Sequence, residues 1–211
     1  MEALRCIAKA DRSLLDSTLQ DGCGLAYVAA EEGWLCILTE LLSRGCDILL
    51  ADDDGWTPAH VAAANGRCDC VQFFTEYIIP SAAKGLEEIC NPEDHDGLTP
   101  IFRAAFAGHD DVVQILVSAG IDPAEKRDHI WGGMERSGWS AFHVAVDGGS
   151  VDVVQYLISQ DCIDVDEHND DGQSPVFIAY VWHRRYADAP LMPPPSPLDA
   201  GTASWTFCES S

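Results

Sequence analysis

Ser140 is the residue whose sequence surroundings come nearest to a catalytic motif. It lies in GWSAF (residues 138–142), which matches the first half of the nucleophile elbow G-x-S-x-G. The second glycine is absent, because position 142 is Phe. A serine here also suits a helix N-cap, where its hydroxyl accepts a backbone N–H from the first turn. We therefore interpret Ser140 as a capping residue and predict no catalytic residues.

Two patterns suggest metal binding, and both are incomplete. Cys68 and Cys70 form a CDC pair, but no second Cys/His pair follows at the spacing of a zinc site. DDDG (52–55) and NDDG (169–172) match fragments of an EF-hand loop, yet the Glu required six residues after the Gly is missing from both. We predict no metal and no cofactor, place Cys70 in the core, and interpret both acidic stretches as turns.

His60 lies in a short segment, GWTPAHVAAANG (55–66), with strong helix-boundary signals. Thr57 is a predicted N-cap, Pro58 suits the first helical position, and Gly66 suits the end of the helix. Isolated helices of fewer than about 12 residues are marginal in water. The segment is therefore predicted to be a building block that packs against similar neighbours.

The same segment recurs along the chain. Its copies are GLTPIFRAAFAG (97–108), GWSAFHVAVDGG (138–149), GQSPVFIAYVWH (172–183) and the weaker CGLAYVAAEEG (23–33). Gly24 of the weak copy stands 33 residues before Thr57. Second stretches with apolar residues at helical spacing follow three of the segments, at 35–47, 110–122 and 151–164. Each unit is therefore predicted to be a pair of helices.

The repeated unit resembles the ankyrin-repeat family over residues 24 to about 186, since TPAHVAA is close to the family pattern T-P-L-H-x-A-A. The resemblance implies an all-α ankyrin-repeat solenoid of stacked inner and outer helices with hairpin fingers, whose inner helices and fingers form a concave surface. It also implies that the histidines at the signature position, His60 and His143, tie finger to helix through a hydrogen bond.

The domain prediction follows from the repeat boundaries. We predict N-terminal capping helices over 1–22, four fuller repeats and a partial fifth over 23–186, and a disordered Pro- and Ser-rich tail over 187–211. Intervals of 42 and 41 residues between later copies place insertions near 77–92 and 125–138. We expect both insertions to form surface connections.

Composition limits the partners. The 211-residue chain has a formal net charge of −23, which disfavours nucleic acid and anionic membrane surfaces and favours basic partners. Nine cysteines without framework spacing favour reduced thiols in an intracellular protein, cytoplasmic or nuclear. No signal peptide and no run of 18 apolar residues is evident, so we expect a soluble monomer.

Residues at positions that the repeat pattern does not constrain indicate where the binding surface lies. Trp56 and Trp139 each precede a helix N-cap, whereas Phe106 and Trp182 lie on inner helices facing the same concavity. The acidic residues around them are Glu31, Glu32, Asp53, Asp54, Asp96, Asp170 and Asp171. Exposed aromatic residues ringed by acids are typical of a binding surface. The alternative is that both tryptophans pack on neighbouring fingers while the acids only solvate the surface.

We therefore predict a non-enzymatic protein–protein interaction module that presents an acidic, aromatic-containing concave surface to a basic protein segment. Two alternatives stay open. The first is an inhibitor that occludes a kinase or a localisation signal. The second is a non-catalytic fragment of a larger enzyme or ubiquitin-ligase subunit.

Overall fold

A computed structural model describes residues 22–47, 49–78, 90–131, 134–160 and 163–186. The predicted capping helices before Gly22, the tail from residue 187 and most of the first insertion lie outside the described residues.

Paired helices form the architecture. The pairs are α1 (Leu25–Glu32) with α2 (Leu35–Ser43), α3 (Pro58–Ala64) with α4 (Cys68–Phe73), α5 (Pro100–Ala107) with α6 (Asp110–Ser118), and α7 (Ala141–Asp147) with α8 (Val151–Ile158). A π-helical turn, Phe74–Ile78, extends α4, and the inner helix α9 (Pro175–Tyr186) follows the last pair. Inner helices pack in the order α1–α3–α5–α7–α9, and outer helices pack in a parallel row. The predicted all-α solenoid is confirmed.

Small buried residues allow this close stacking. Ala62, Ala104 and Ala145 are fully buried in successive inner helices, while Val112 and Leu157 belong to the layer formed by the outer helices. Alanine at these positions lets neighbouring helix backbones approach closely. Cys70 is also fully buried, as predicted for a core residue.

The inner helices begin as predicted. Thr57 and Ser140 are the N-caps of α3 and α7, and each forms a capping box with the histidine three residues later. The Thr57 N–H donates to Nδ1 of His60 at 3.1 Å, and the Ser140 N–H donates to Nδ1 of His143 at 3.3 Å. These bonds satisfy backbone groups that a helix start leaves without partners. Ser140 is therefore a capping residue.

Three finger turns are each closed by the side chain of their first residue. Asp52 accepts the N–H groups of Asp54 and Trp56 at 3.0 and 2.7 Å. Asp94 accepts two equivalent bonds in the next finger, and Asn169 accepts one in the last. The predicted interpretation of DDDG and NDDG as turns is confirmed.

Backbone hydrogen bonds join successive fingers. The donors and acceptors are His95 N–H to Asp54 O (3.1 Å), Ile130 N–H to Asp96 O (2.8 Å) and Asp170 N–H to Ser137 O (3.1 Å). The approach is close, because a Cβ added at Gly55 would lie 2.8 Å from the His95 nitrogen. The fingers therefore form one continuous row.

The second insertion contains an antiparallel hairpin that we did not predict. It consists of β1 (Arg127–Trp131) and β2 (Met134–Trp139), with an irregular register between Arg127 and His129. The pair Gly132-Gly133 is the sequence signal that could have predicted it, since Gly-Gly favours two-residue hairpin loops.

Candidate partner-binding surface

Exposed carboxylates lie on the row of fingers. We call this set the finger ridge, and its members are Asp53, Asp54, Asp96, Asp170 and Asp171. All five occupy the middle positions of finger turns whose first residue closes the turn through its side chain. The folded turns therefore hold these carboxylates on a fixed backbone.

The basic side chains that the structure describes, from Arg44 to Arg136, are engaged elsewhere. Arg67 donates to the carbonyl of Glu31 at 2.8 Å. The ion pairs are Arg44–Glu40, Arg103–Asp94, Lys126–Glu167, Arg127–Glu93, Arg127–Glu125 and Arg136–Asp147. Within the same part of the chain, Asp53, Asp54, Asp170 and Asp171 form no ion pair, and Asp96 lies 3.9 Å from Arg103. The basic side chains that the structure describes therefore leave most of the ridge charge uncompensated.

Burial and neighbouring charge affect Asp96 in particular. Desolvation raises its pKa above the ordinary value, and the nearby Asp94 carboxylate acts in the same direction. Arg103 opposes both effects. A basic group arriving at this finger would relieve the repulsion between the two carboxylates.

Trp56 is half-buried beside the ridge. The Arg103 guanidinium lies 4.0 Å from the centre of its ring, and Asp94 holds that guanidinium through bonds of 2.5 and 3.1 Å. Arg103 and Asp94 are themselves buried. The structure therefore fixes Trp56 against the next repeat, although part of its surface stays accessible.

The prediction that Trp139 is an exposed aromatic residue is wrong. Trp139 is only 4% exposed and lies between His129 and His143, with ring-centre distances of 5.8 and 5.9 Å. The Arg136 guanidinium covers it at 4.3 Å. His129 and Arg136 both come from the hairpin, so the insertion buries a residue that the repeat pattern alone leaves exposed.

The remaining predicted site residues differ in how far they are buried. Phe106 is half-buried and packs against the core. Glu31 and Glu32 lie at the end of α1, half-buried and exposed respectively. Trp182 belongs to α9, but its side chain lies outside the described part of the structure. Whether these residues bind a partner stays a prediction.

The buried histidines have structural positions. His60 donates from Nε2 to the carbonyl of Leu98 in the next finger at 3.0 Å, in agreement with the implied finger bond. Burial lowers the pKa of His60 to about 4. It also lowers to about 4 the pKa of His129, a buried residue that the sequence patterns do not indicate. Both are therefore neutral near pH 7 and enclosed by the fold.

Family comparison agrees with this architecture. A family described as "Ankyrin repeats (3 copies)" matches residues 13–127, and one described as "Ankyrin repeats (many copies)" matches residues 101–158. The chain belongs to the ankyrin-repeat family. Ankyrin repeats are protein–protein interaction modules, and the family is generally non-catalytic.

Individual relatives are similar over part of their length. Ankyrin repeat and SOCS box protein 3 of Homo sapiens is 30% identical over 75% of this chain and 34% of the relative. The Bos taurus protein of that name is 25% identical over the same shares. Transient receptor potential cation channel subfamily A member 1 of Homo sapiens is 30% identical over 65% of this chain and 11% of the relative. The chain thus spans about a third of the first two relatives.

Among the described residues, no helix combines the length and apolar character that crossing a membrane requires. The same residues contain no cluster of three or more His, Cys, Asp or Glu side chains suited to a metal ion.

Proposed function

We propose that this chain binds a basic protein segment along the finger ridge. The observation that carries the proposal is that Asp53, Asp54, Asp170 and Asp171 form no ion pair with the basic side chains that the structure describes, which bind other groups. Because the turns are closed before binding, little ordering entropy is lost when a partner arrives. Complementary charge would raise the association rate and select basic segments.

The spacing of the repeats suggests the form of the segment. Packed helices lie about 8–10 Å apart, so successive fingers recur at a similar interval. An extended chain advances about 3.3 Å per residue. A segment with a basic residue at roughly every third position would therefore bring cations to the acidic fingers, while the hairpin between Asp96 and Asp170 contributes no ridge carboxylate.

Aromatic contacts complete the proposed surface. Trp56 follows Asp54 by two residues in the same finger, and we propose that Trp56, Phe106 and Trp182 contact the apolar portions of the bound segment. Glu31 and Glu32 extend the negative charge at the first repeat. Trp139 is excluded from this set because it is buried.

We further propose an intracellular monomer, cytoplasmic or nuclear. Cys36, Cys68, Cys70 and Cys90 are free thiols, which supports a reducing compartment. A basic segment held on the ridge would also be occluded, so inhibition of a kinase or of a localisation signal is one form of the same activity.

A second candidate is that the chain is the ankyrin part of a larger ubiquitin-ligase subunit. The similarity to ankyrin repeat and SOCS box protein 3, of which the chain matches 34%, favours this candidate. A longer transcript that encodes a further domain would distinguish it from an independent binding module.

The proposed function is tested with a labelled peptide of five Arg-Ala-Ala units, titrated with the full chain while fluorescence anisotropy is recorded. We expect binding that weakens as salt rises, because exposed charges are screened over about 10 Å at 0.1 M salt. A Gln-Ala-Ala peptide of equal length is the control. Equal binding of the two peptides would contradict the proposal.

A further inference from the structure

The inner helix α9 exposes a face that the earlier inner helices bury. Val176 occupies the repeat position of Ala59, Ile101 and Phe142. Those three residues are 5%, 2% and 3% exposed, whereas Val176 is 70% exposed.

Two further positions show the same change. Phe177 is 48% exposed, although the equivalent residues His60 and Phe102 are 0% and 2% exposed. Tyr180 is 58% exposed, and the equivalent Ala105 is fully buried. Together with the exposed Val181, these residues form a surface that we call the end face: Val176, Phe177, Tyr180 and Val181.

An outer helix is also missing beside α9 within the described residues. The inner helix α5 ends at Ala107, and after a turn the outer helix α6 begins at Asp110. The positions equivalent to this turn are 183 and 184, and α9 continues through them to Tyr186. Ala179 is accordingly exposed, while its equivalents Ala104 and Ala145 are fully buried. The residues that the structure describes therefore leave both the forward side and the outer side of α9 uncovered.

The earlier repeats indicate what fits such a surface. α5 is covered by α7, and α7 is covered by α9. The end face continues this series of interfaces. Residues 175–181 carry no charged side chain, so the surface favours an apolar contact. An end repeat adapted to water would instead carry polar residues there.

We propose that the end face is a docking surface for a helix pair of a partner protein, stacked on α9 as a further repeat would be. Binding here depends on apolar burial, so it is insensitive to salt. It is separate from the finger ridge, where binding weakens as salt rises.

The test uses the full chain with a tethered probe. A second copy of residues 138–160, which contains the pair α7–α8, is joined after Ser211 through a Gly/Ser linker. Tethering of this kind gives an effective concentration of about 1 mM. With a dissociation constant of about 0.1 mM, the exchange of α9 amide hydrogens should slow by about tenfold relative to the chain without the probe.

Matched variants assign the effect to the end face. Val176→Asp with Tyr180→Gln should abolish the protection, and Asp near the start of a helix is compatible with folding. Val151→Asp is the control, because Val151 is 63% exposed on α8 outside the end face. Circular dichroism confirms that each variant is folded. Protection should persist at 0.5 M salt.

Three results would overturn the proposal. The first is unchanged exchange of α9 with the probe attached, and the second is equal protection in the end-face variant. The third is a dimer of the chain without the probe, detected by sedimentation and lost on Val176→Asp, since a second copy would then occupy the face. None of these results depends on peptide binding at the ridge.

Discussion

The imidazole Nε2 of His60 donates a hydrogen bond to the carbonyl of Leu98, 38 residues further along the chain, at 3.0 Å. His60 also accepts the N–H of Thr57 through Nδ1. One buried ring thus joins its own helix start to the next finger, and so couples the ridge to the helix stack.

We expect His60→Phe to destabilise the chain by about 1–3 kcal/mol, because it leaves buried hydrogen-bonding groups without partners. Phe102 occupies the same repeat position and shows that a benzyl side chain can be accommodated there. Urea unfolding measures the change, and wild-type stability of His60→Phe would show that the bond contributes nothing.

Stability should fall as the solution is acidified from pH 6.5 toward pH 4. The pKa of both His60 and His129 is lowered from 6.5 to about 4 in the folded chain, mainly by burial. The unfolded chain therefore binds more protons in this window, and each histidine lowers the unfolding free energy by up to about 1.4 kcal/mol per pH unit.

The measurement is chemical unfolding at several pH values between 7 and 5. The double variant His60→Phe with His129→Phe should show a shallower slope than the wild type. The same slope in both proteins would mean that other groups cause the acid sensitivity.

Trp139→Ala should cost about 3–5 kcal/mol of stability, as expected for truncation of a buried aromatic residue. Trp56→Ala should cost less, because Trp56 is only half-buried. Thermal and urea unfolding compare the two variants. Comparable losses would show that Trp56 mainly stabilises the fold. Binding assays would then use Trp56→Phe, which keeps an aromatic ring, in place of Trp56→Ala.

The packing of fingers predicts different costs for two glycines. Gly97 and Gly172 both have positive φ, 80° and 72°, which non-glycine residues rarely adopt. An added Cβ would lie 2.5 Å from the Asp128 carbonyl oxygen at Gly97, but it meets nothing within 4 Å at Gly172.

We therefore expect Gly97→Ala to be more destabilising than Gly172→Ala by at least about 1 kcal/mol, because only Gly97→Ala adds a clash to the backbone strain. Unfolding free energies of the two variants provide the comparison. Equal costs would argue against tight contact between the finger that contains Gly97 and the hairpin.

Local sequence signals predicted most of the fold. Thr57 and Ser140 cap helices, Cys70 lies in the core, and both acidic stretches form turns, because these outcomes depend on neighbours within a few residues. The burial of Trp139 could not be predicted in this way. It depends on His129 and Arg136 of the hairpin, which belongs to an insertion outside the repeat pattern.

The same distinction applies to Trp56. Its ring is covered by Arg103, which occupies a position where other repeats have Val61 and Val144. The repeat pattern predicts an apolar core residue at this position, so it gives no indication of a guanidinium stacked on the neighbouring finger. Side chains specific to one repeat therefore decide which predicted aromatic residues remain accessible.

The most direct test of the proposed function compares two variants that lose the same charge. Asp53→Asn with Asp54→Asn removes two carboxylates from the finger ridge, whereas Asp111→Asn with Asp152→Asn removes two exposed carboxylates from the outer helices. Association of the Arg-Ala-Ala peptide is measured by stopped-flow fluorescence at several salt concentrations, and circular dichroism confirms folding.

We expect the ridge variant to associate at least about fivefold more slowly at low salt and to show a flatter salt dependence, because ridge charges steer the encounter. The outer-helix variant should stay close to the wild type. Equal slowing in both variants would contradict the account, since it would show that total charge rather than the finger ridge attracts the basic segment.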